Sequence, residues 1–113
     1  MASKKPTPSE ATLSAGLEEL DDLLGHRSRL AACVLLSRAE QLSFSRLKEL
    51  LSETDGNLGA QLRKLEEEGY VAVRKEFLDR RPVTWYRLTP SGRKALVSHL
   101  NALGRFIAHA SKA

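Results

Sequence analysis

Leucines recur along this chain at helical spacing, and the polar residues between them mark where each helix starts and stops. Leu13, Leu17, Leu20 and Leu24 lie three or four apart with Glu18, Glu19, Asp21 and Asp22 opposite, which predicts a short amphipathic helix ended by Gly25. From Ser28 to about Glu40 the pattern is apolar on nearly every face, through Leu30, Ala31, Ala32, Cys33, Val34, Leu35 and Leu36, as expected of a helix at the centre of a small core. Ser43 or Ser45 is placed to cap a third, brief helix with Phe44, Leu47, Leu50 and Leu51 inward and Arg46 and Lys48 outward. Ser52 to Asp55 breaks it, and Thr54 caps a fourth.

In that fourth helix Leu58, Leu62 and Leu65 fall within about 60° of one another at 100° per residue, so they form one buried stripe. The opposite face carries Gly56, Ala60, Arg63 and Lys64, with Asn57 and Gln61 on a shoulder and Glu66, Glu67 and Glu68 in the last turn. Gly69 stops it. The alternation of Val71 and Val73 then predicts a strand over 70–77, a polar tip over 78–82 (Leu-Asp-Arg-Arg-Pro), and a returning strand over 83–88. Thr89 before Pro90 suits the start of a last helix of about 18 to 20 residues, striped by Leu96, Leu100, Leu103 and Ile107 with Phe106 adjacent. A stripe of that length, on a helix about 30 Å long, overhangs a small core and needs a partner.

The chain has 113 residues with 42% hydrophobic and 28% charged, which sets one compact domain. Residues 1–12 hold two prolines and two lysines without apolar periodicity and are expected to be a disordered basic arm, leaving 13–110 as the folded domain. No apolar run reaches the roughly 18 residues of a membrane span and the start lacks a signal-peptide core, so a cytoplasmic protein without membrane association is expected. Net charge is +4, and its distribution matters more than its size. Residues 1–53 carry seven Lys/Arg against eight acids, residues 54–113 eleven against six, and no acid follows Asp79. A polyanion is the natural partner.

The helices, the helix-turn-helix, the arginine-tipped hairpin and the closing helix make a mainly α fold with a two-stranded β wing, a winged helix-turn-helix. An α-helix fits the DNA major groove, Asn and Gln can pair with adenine edges, Arg and Lys with guanine or phosphate, and a slender basic hairpin fits the minor groove or backbone. Thr54-Asp55-Gly56-Asn57-Leu58, Leu62 to Val71, Arg80-Arg81-Pro82 and Tyr86 to Gly92 closely resemble the small stand-alone winged-helix transcriptional regulators related to the MarR and ArsR families. The resemblance spans about residues 20–103 and implies a homodimeric, sequence-specific regulator of double-stranded DNA. By it, Asn57, Ala60, Gln61 and Lys64 fall on the groove-facing part of the recognition helix, Thr54 and Arg46 near phosphates, and Arg80 and Arg81 at the wing. Gly59 and Gln61 stand where relatives often place Ser and His, and the cysteine pair common in ArsR-type metal sensors is absent.

A homodimer is expected to use Leu13, Leu17, Leu20, Leu96, Leu100, Leu103 and Ile107. His26, His99 and His109 are scattered, with no carboxylate or cysteine at ligand spacing, so no metal and no cofactor is expected. Catalysis is not expected either, since no Ser/His/Asp grouping, flanked carboxylate pair or phosphate-cradling glycine loop occurs. Cys33, the single cysteine, reads as a core side chain. The alternative is a winged helix used only for protein contacts, because the same fold serves that purpose. An effector ligand is left open.

Overall fold

The computed structural model describes residues 5–111. Among them the order is α1 (Pro8–Glu19), α2 (Arg27–Ser37), β1 (Leu42–Ser43), α3 (Phe44–Leu51), α4 (Asp55–Glu67), β2 (Val71–Leu78), β3 (Arg81–Leu88) and α5 (Pro90–Ala110), with a 3-10 turn at Leu23–Gly25. Of the two serines offered as cap for the third helix it is Ser43 that serves, Thr54 caps α4 as expected, and Thr89 caps α5: each hydroxyl accepts a hydrogen bond from the backbone N–H three residues on. No helix among the described residues is long and apolar enough to cross a membrane.

Two boundaries differ from the sequence reading. The basic arm expected over 1–12 gives way to α1 at Pro8, because Thr7 and Glu10 form a reciprocal capping box and Pro8 stands at the first helical position; residues 1–4 lie outside the described residues. The first helix ends at Glu19, not Gly25. There the Asp21 carboxylate accepts from the backbone N–H groups of Leu23 and Leu24 at 2.8 and 3.3 Å, and this local alternative to helical bonding turns the chain so that Leu24 enters the core.

The sheet has three strands rather than the expected two, in the order β1-β3-β2. Two residues of β1 pair antiparallel with β3, Leu42 with Tyr86 and Ser43 with Trp85, too short a strand for alternation to announce. The hairpin strands also run to within two residues of each other. Leu78 pairs with Arg81, and the two residues between, Asp79 and Arg80, have φ of 50° and 66°, the double left-handed geometry of a tight hairpin turn. Pro82 is tolerated inside β3 because it falls at a non-hydrogen-bonded pair beyond the end of β1, where its missing N–H faces no neighbour.

Leu24, Ala32, Cys33, Leu36, Leu47, Leu58, Leu62, Leu65, Val71, Tyr86, Leu88 and Leu96 form the core between α2, α3, α4, α5 and the sheet. Burial pushes the Cys33 thiol up to about 12, which fits a core side chain. Leu50, expected inward, is exposed. α1 lies along the distal part of α5, where Gly16 faces Arg105 and Arg105 pairs with Glu19. The molecule measures 68 Å along its long axis against 26 and 24 Å across.

The base of the hairpin is closed by Tyr70 and Gly92. Tyr70 N–H donates to Leu65 and Gly69 N–H to Glu66, the double bond of a Schellman cap that requires the φ of +81° at Gly69. The Tyr70 carbonyl accepts from the Thr89 N–H at 3.0 Å, and the Thr89 hydroxyl donates to the neighbouring Gly69 carbonyl at 2.6 Å. A Cβ at position 92 would stand 2.1 Å from the Tyr70 carbonyl oxygen. Gly92→Ala is therefore expected to cost about 1–3 kcal/mol, read as a lower urea midpoint at unchanged slope; a wild-type midpoint would show that this approach is not tight.

Candidate nucleic-acid interface

The leucine stripe decides what α4 presents outward. Leu58, Leu62 and Leu65 are fully buried, so Gly56, Ala60, Arg63 and Lys64 are exposed on the opposite side, with half-buried Gly59 between the small residues. Small side chains at the start of this face leave its backbone open to close approach. Arg63 and Lys64 enter no ion pair among the described residues, whereas the three acids Glu66, Glu67 and Glu68 sit a turn further on. Arg63 stands nearer the middle of the exposed face than Lys64, and its position opposite Leu58 and Leu65 was the signal for it.

Gln61 is a correction. Expected on the groove-facing surface, it is 8% exposed and turned toward α2, where its Oε1 accepts from Arg29 Nη1 at 2.5 Å. At 100° per residue, position 61 lies about 40° beyond Leu65 on the flank of the buried stripe, and α2 covers that flank and supplies Arg29 as its partner. Arg29 in turn donates through Nε to the Leu23 carbonyl at 2.5 Å, so α4 is latched to the turn before α2.

Asn57 is exposed but held on both sides. Its Nδ2 donates to Glu53, its Oδ1 lies 3.4 Å from Gln61 Nε2, and Glu53 also accepts from the Ser28 hydroxyl. Those two donors, Ser28 first, hold the Glu53 carboxyl below the usual carboxylate range. The amide of Asn57 thus has a defined orientation, with one N–H and one lone pair directed to solvent. Thr54 is exposed, and its hydroxyl oxygen caps the Asn57 N–H. Arg46 is exposed on α3, bridged to Glu49 at 2.8 Å, and Lys48 meets Asp55 at 2.7 Å.

Arg80 and Arg81 are exposed at the hairpin tip with no ion pair among the described residues. Two adjoining depressions run from the wing to the helix-turn-helix. One is lined by Leu78, Pro82, Val83 and Trp85 with Ser43, Phe44 and Ser45; the next by Phe44, Ser45, Lys48, Glu53 and Asp55. The first turn of α3 is common to both, and Phe44 stands 6.4 Å from the Tyr86 ring of β3, which fixes the wing's base to the helix pair. No group of three or more metal-binding side chains occurs among the described residues.

Of the expected dimer residues, Leu96 is a second correction: at 3% exposure it belongs to the protomer's own core. Leu13, Leu20 and Leu103 are half-buried, whereas Leu17, Leu100 and Ile107 are exposed, the last at 67%. Exposed Val97 joins Leu100 and Ile107 on one side of α5, with Gly104 among them.

The chain matches the family model described as a winged helix DNA-binding domain over residues 28–107. An uncharacterized protein of Methanocaldococcus jannaschii is 39% identical over 72 residues, 64% of this chain and 78% of that one. A transcriptional regulator homologue from Pyrococcus horikoshii is structurally similar at a TM-score of 0.79 and 27% identity, over 90% of this chain and 99% of its own. A MarR mutant from E. coli complexed with operator DNA shares the fold at a TM-score of 0.67 and 22% identity, over 90% of this chain and 70% of its own.

The Arg29–Gln61 latch yields a stability expectation. Gln61→Ala and Arg29→Ala should each lower unfolding free energy by about 1–2 kcal/mol, and the double variant should cost less than their sum by at least about 0.5 kcal/mol. Strict additivity in chemical denaturation would mean that the hydrogen bond does not join the helices in solution.

Proposed function

The chain belongs to the winged helix DNA-binding domain family and has the fold of the MarR regulators, and from that premise we propose that it is a cytoplasmic, homodimeric, sequence-specific transcriptional regulator. α4 enters the major groove of duplex DNA with Gly56, Ala60, Arg63 and Lys64 foremost and Asn57 at its edge. Thr54 and Arg46 bind phosphates. Arg80 and Arg81 reach the neighbouring minor groove or backbone.

One observation carries the reading. Arg80, at the exposed tip of the hairpin, holds a φ of +66°, a conformation that costs an ordinary side chain about 1–2 kcal/mol and glycine almost nothing. Glycine would serve the fold better there, so the guanidinium has a use outside the fold. The unpaired cations on α4 supply a second patch of the same sign, and the first turn of α3 links the two.

A second copy covers the outer side of α1 and α5. Leu17 on α1 and Val97, Leu100 and Ile107 on α5 are exposed apolar side chains on a projecting helix pair, and a second copy gives them a partner. Two copies so joined set their recognition helices about one duplex turn apart, some 34 Å, on an imperfect palindrome.

Three outcomes are expected. Duplex binding, followed by fluorescence anisotropy, weakens as salt rises with a log-log slope near −0.9 per neutralised phosphate; salt-insensitive binding would favour the protein-contact alternative. Arg80→Gly makes the protein more heat-stable and binds duplexes of all sequences less well, with a shallower salt slope by about 1; a stabilised variant with wild-type binding would remove Arg80 from the interface. Leu100→Glu with Ile107→Glu gives a folded monomer by sedimentation, and a wild-type protein that is monomeric at micromolar concentration would overturn the dimer.

A further inference from the structure

Phe77 is the most exposed large apolar side chain among the described residues, at 76%. Its place in the sheet is set by register. Alternation puts it on the same face as Val71 and Val73, and the cross-strand pairs on that face run Val71 with Leu88, Val73 with Tyr86, Lys75 with Thr84 and Phe77 with Pro82. The first two pairs cover the core; the last continues that apolar face beyond it, into solvent. Phe77 makes no core contact, so its ring does nothing for the fold.

Its surroundings are cationic. Lys75 shares its face, Arg80 and Arg81 follow in the turn and the first strand position beyond, and none of the three enters an ion pair among the described residues. The nearby acid Glu76 points to the opposite face, where Arg74 and the Trp85 Nε1–H engage it; only Asp79, in the turn itself, remains. A partner for this tip must therefore be anionic at its rim and apolar between. The minor groove of duplex DNA has that make-up at a parted base step, with phosphates along its rims, deoxyribose walls and the faces of the separated bases between them. An acidic protein surface would match the cations, but not a bare phenyl ring on a two-residue turn.

Resting on the proposed duplex-binding function, we infer that Phe77 is an apolar wedge that enters the minor groove beside the recognised half-site and partly unstacks a base step there. The arginines anchor the tip on the flanking phosphates. The inserted ring favours easily unstacked pyrimidine–purine steps, so sequence preference arises at positions where no hydrogen bond reads a base. Because the ring is outside the core, its replacement leaves folding intact.

The test uses duplexes enriched by the full-length wild-type chain from a random pool, resynthesised with 2-aminopurine at successive flanking steps. Wild-type protein should brighten the probe at one step on each flank, and Phe77→Ala should abolish the signal while weakening binding roughly five- to a hundredfold. Phe77→Arg, which adds a cation but no wedge, should bind at low salt without the signal. Unchanged affinity and fluorescence in Phe77→Ala, with salt-sensitive duplex binding intact, would overturn the wedge alone, as would a signal that survives in Phe77→Arg. A change in the oligomeric state of free Phe77→Ala with DNA binding untouched would assign the ring to self-association and also overturn it. If the wild-type chain enriches no duplex, the DNA-binding reading itself fails.

Discussion

Tyr70 joins every part of the molecule that the proposed interface needs. Its backbone N–H closes the end of α4, its carbonyl accepts from the N–H of Thr89, and its hydroxyl donates to Asp21. Asp21 then holds the turn at Leu23 and Leu24 through its carboxylate and meets buried His99 of α5 through its N–H, at 3.0 Å. One residue thus ties α4, the hairpin, α5 and the approach to α2. Gly92 is the matching constraint, since any side chain there would collide with the same carbonyl. A wing flexing freely at its base could not keep its arginines in register with α4.

Packing on α4 sets the chemistry of its other side. Gly56 and Gly59 weaken the helix by roughly 1 kcal/mol each, whereas burying Leu58, Leu62 and Leu65 stabilises it by about 2 kcal/mol apiece. The stripe wins, and the helix can carry glycines where a groove wall would come close. The Arg29–Gln61 bond adds direction to that apolar attachment, because dispersion alone leaves a helix free to rotate by a few degrees while a charged hydrogen bond does not. Gln61 is accordingly a positioning residue: it fixes α4 and, with Glu53, the amide of Asn57.

Charge and strain coincide at the wing. The tip uses left-handed backbone at Asp79 and Arg80, neither of them glycine, while the true glycine positions at 69 and 92 serve closure of the fold. Its neighbours in sequence, Phe77 and Leu78, are exposed apolar groups that lower solubility without adding to the core. A hairpin so constructed is shaped by what it meets. The same holds for the outer side of α5, whose apolar residues outrun the core that the chain can build.

Helical periodicity and caps were legible in the sequence because both are local. The leucine stripe of α4, the serine and threonine caps, the stop at Gly69 and the start at Pro90 depend on residues within one or two turns of each other, and so did the family resemblance carried by those segments. The exposure of Lys64 and Arg63 followed from the same geometry. What adjoins across the fold was not legible. The inward turn of Gln61 depends on Arg29, thirty-two positions away; the burial of Leu96 depends on where α5 docks; the third strand depends on β3 lying beside two residues that have no strand signature. Sequence determined that five helices and a hairpin form and where most of their apolar stripes lie, because those are nearest-neighbour matters. Only the tertiary structure decided which polar groups meet a partner, because a hydrogen bond's second half comes from wherever the chain returns.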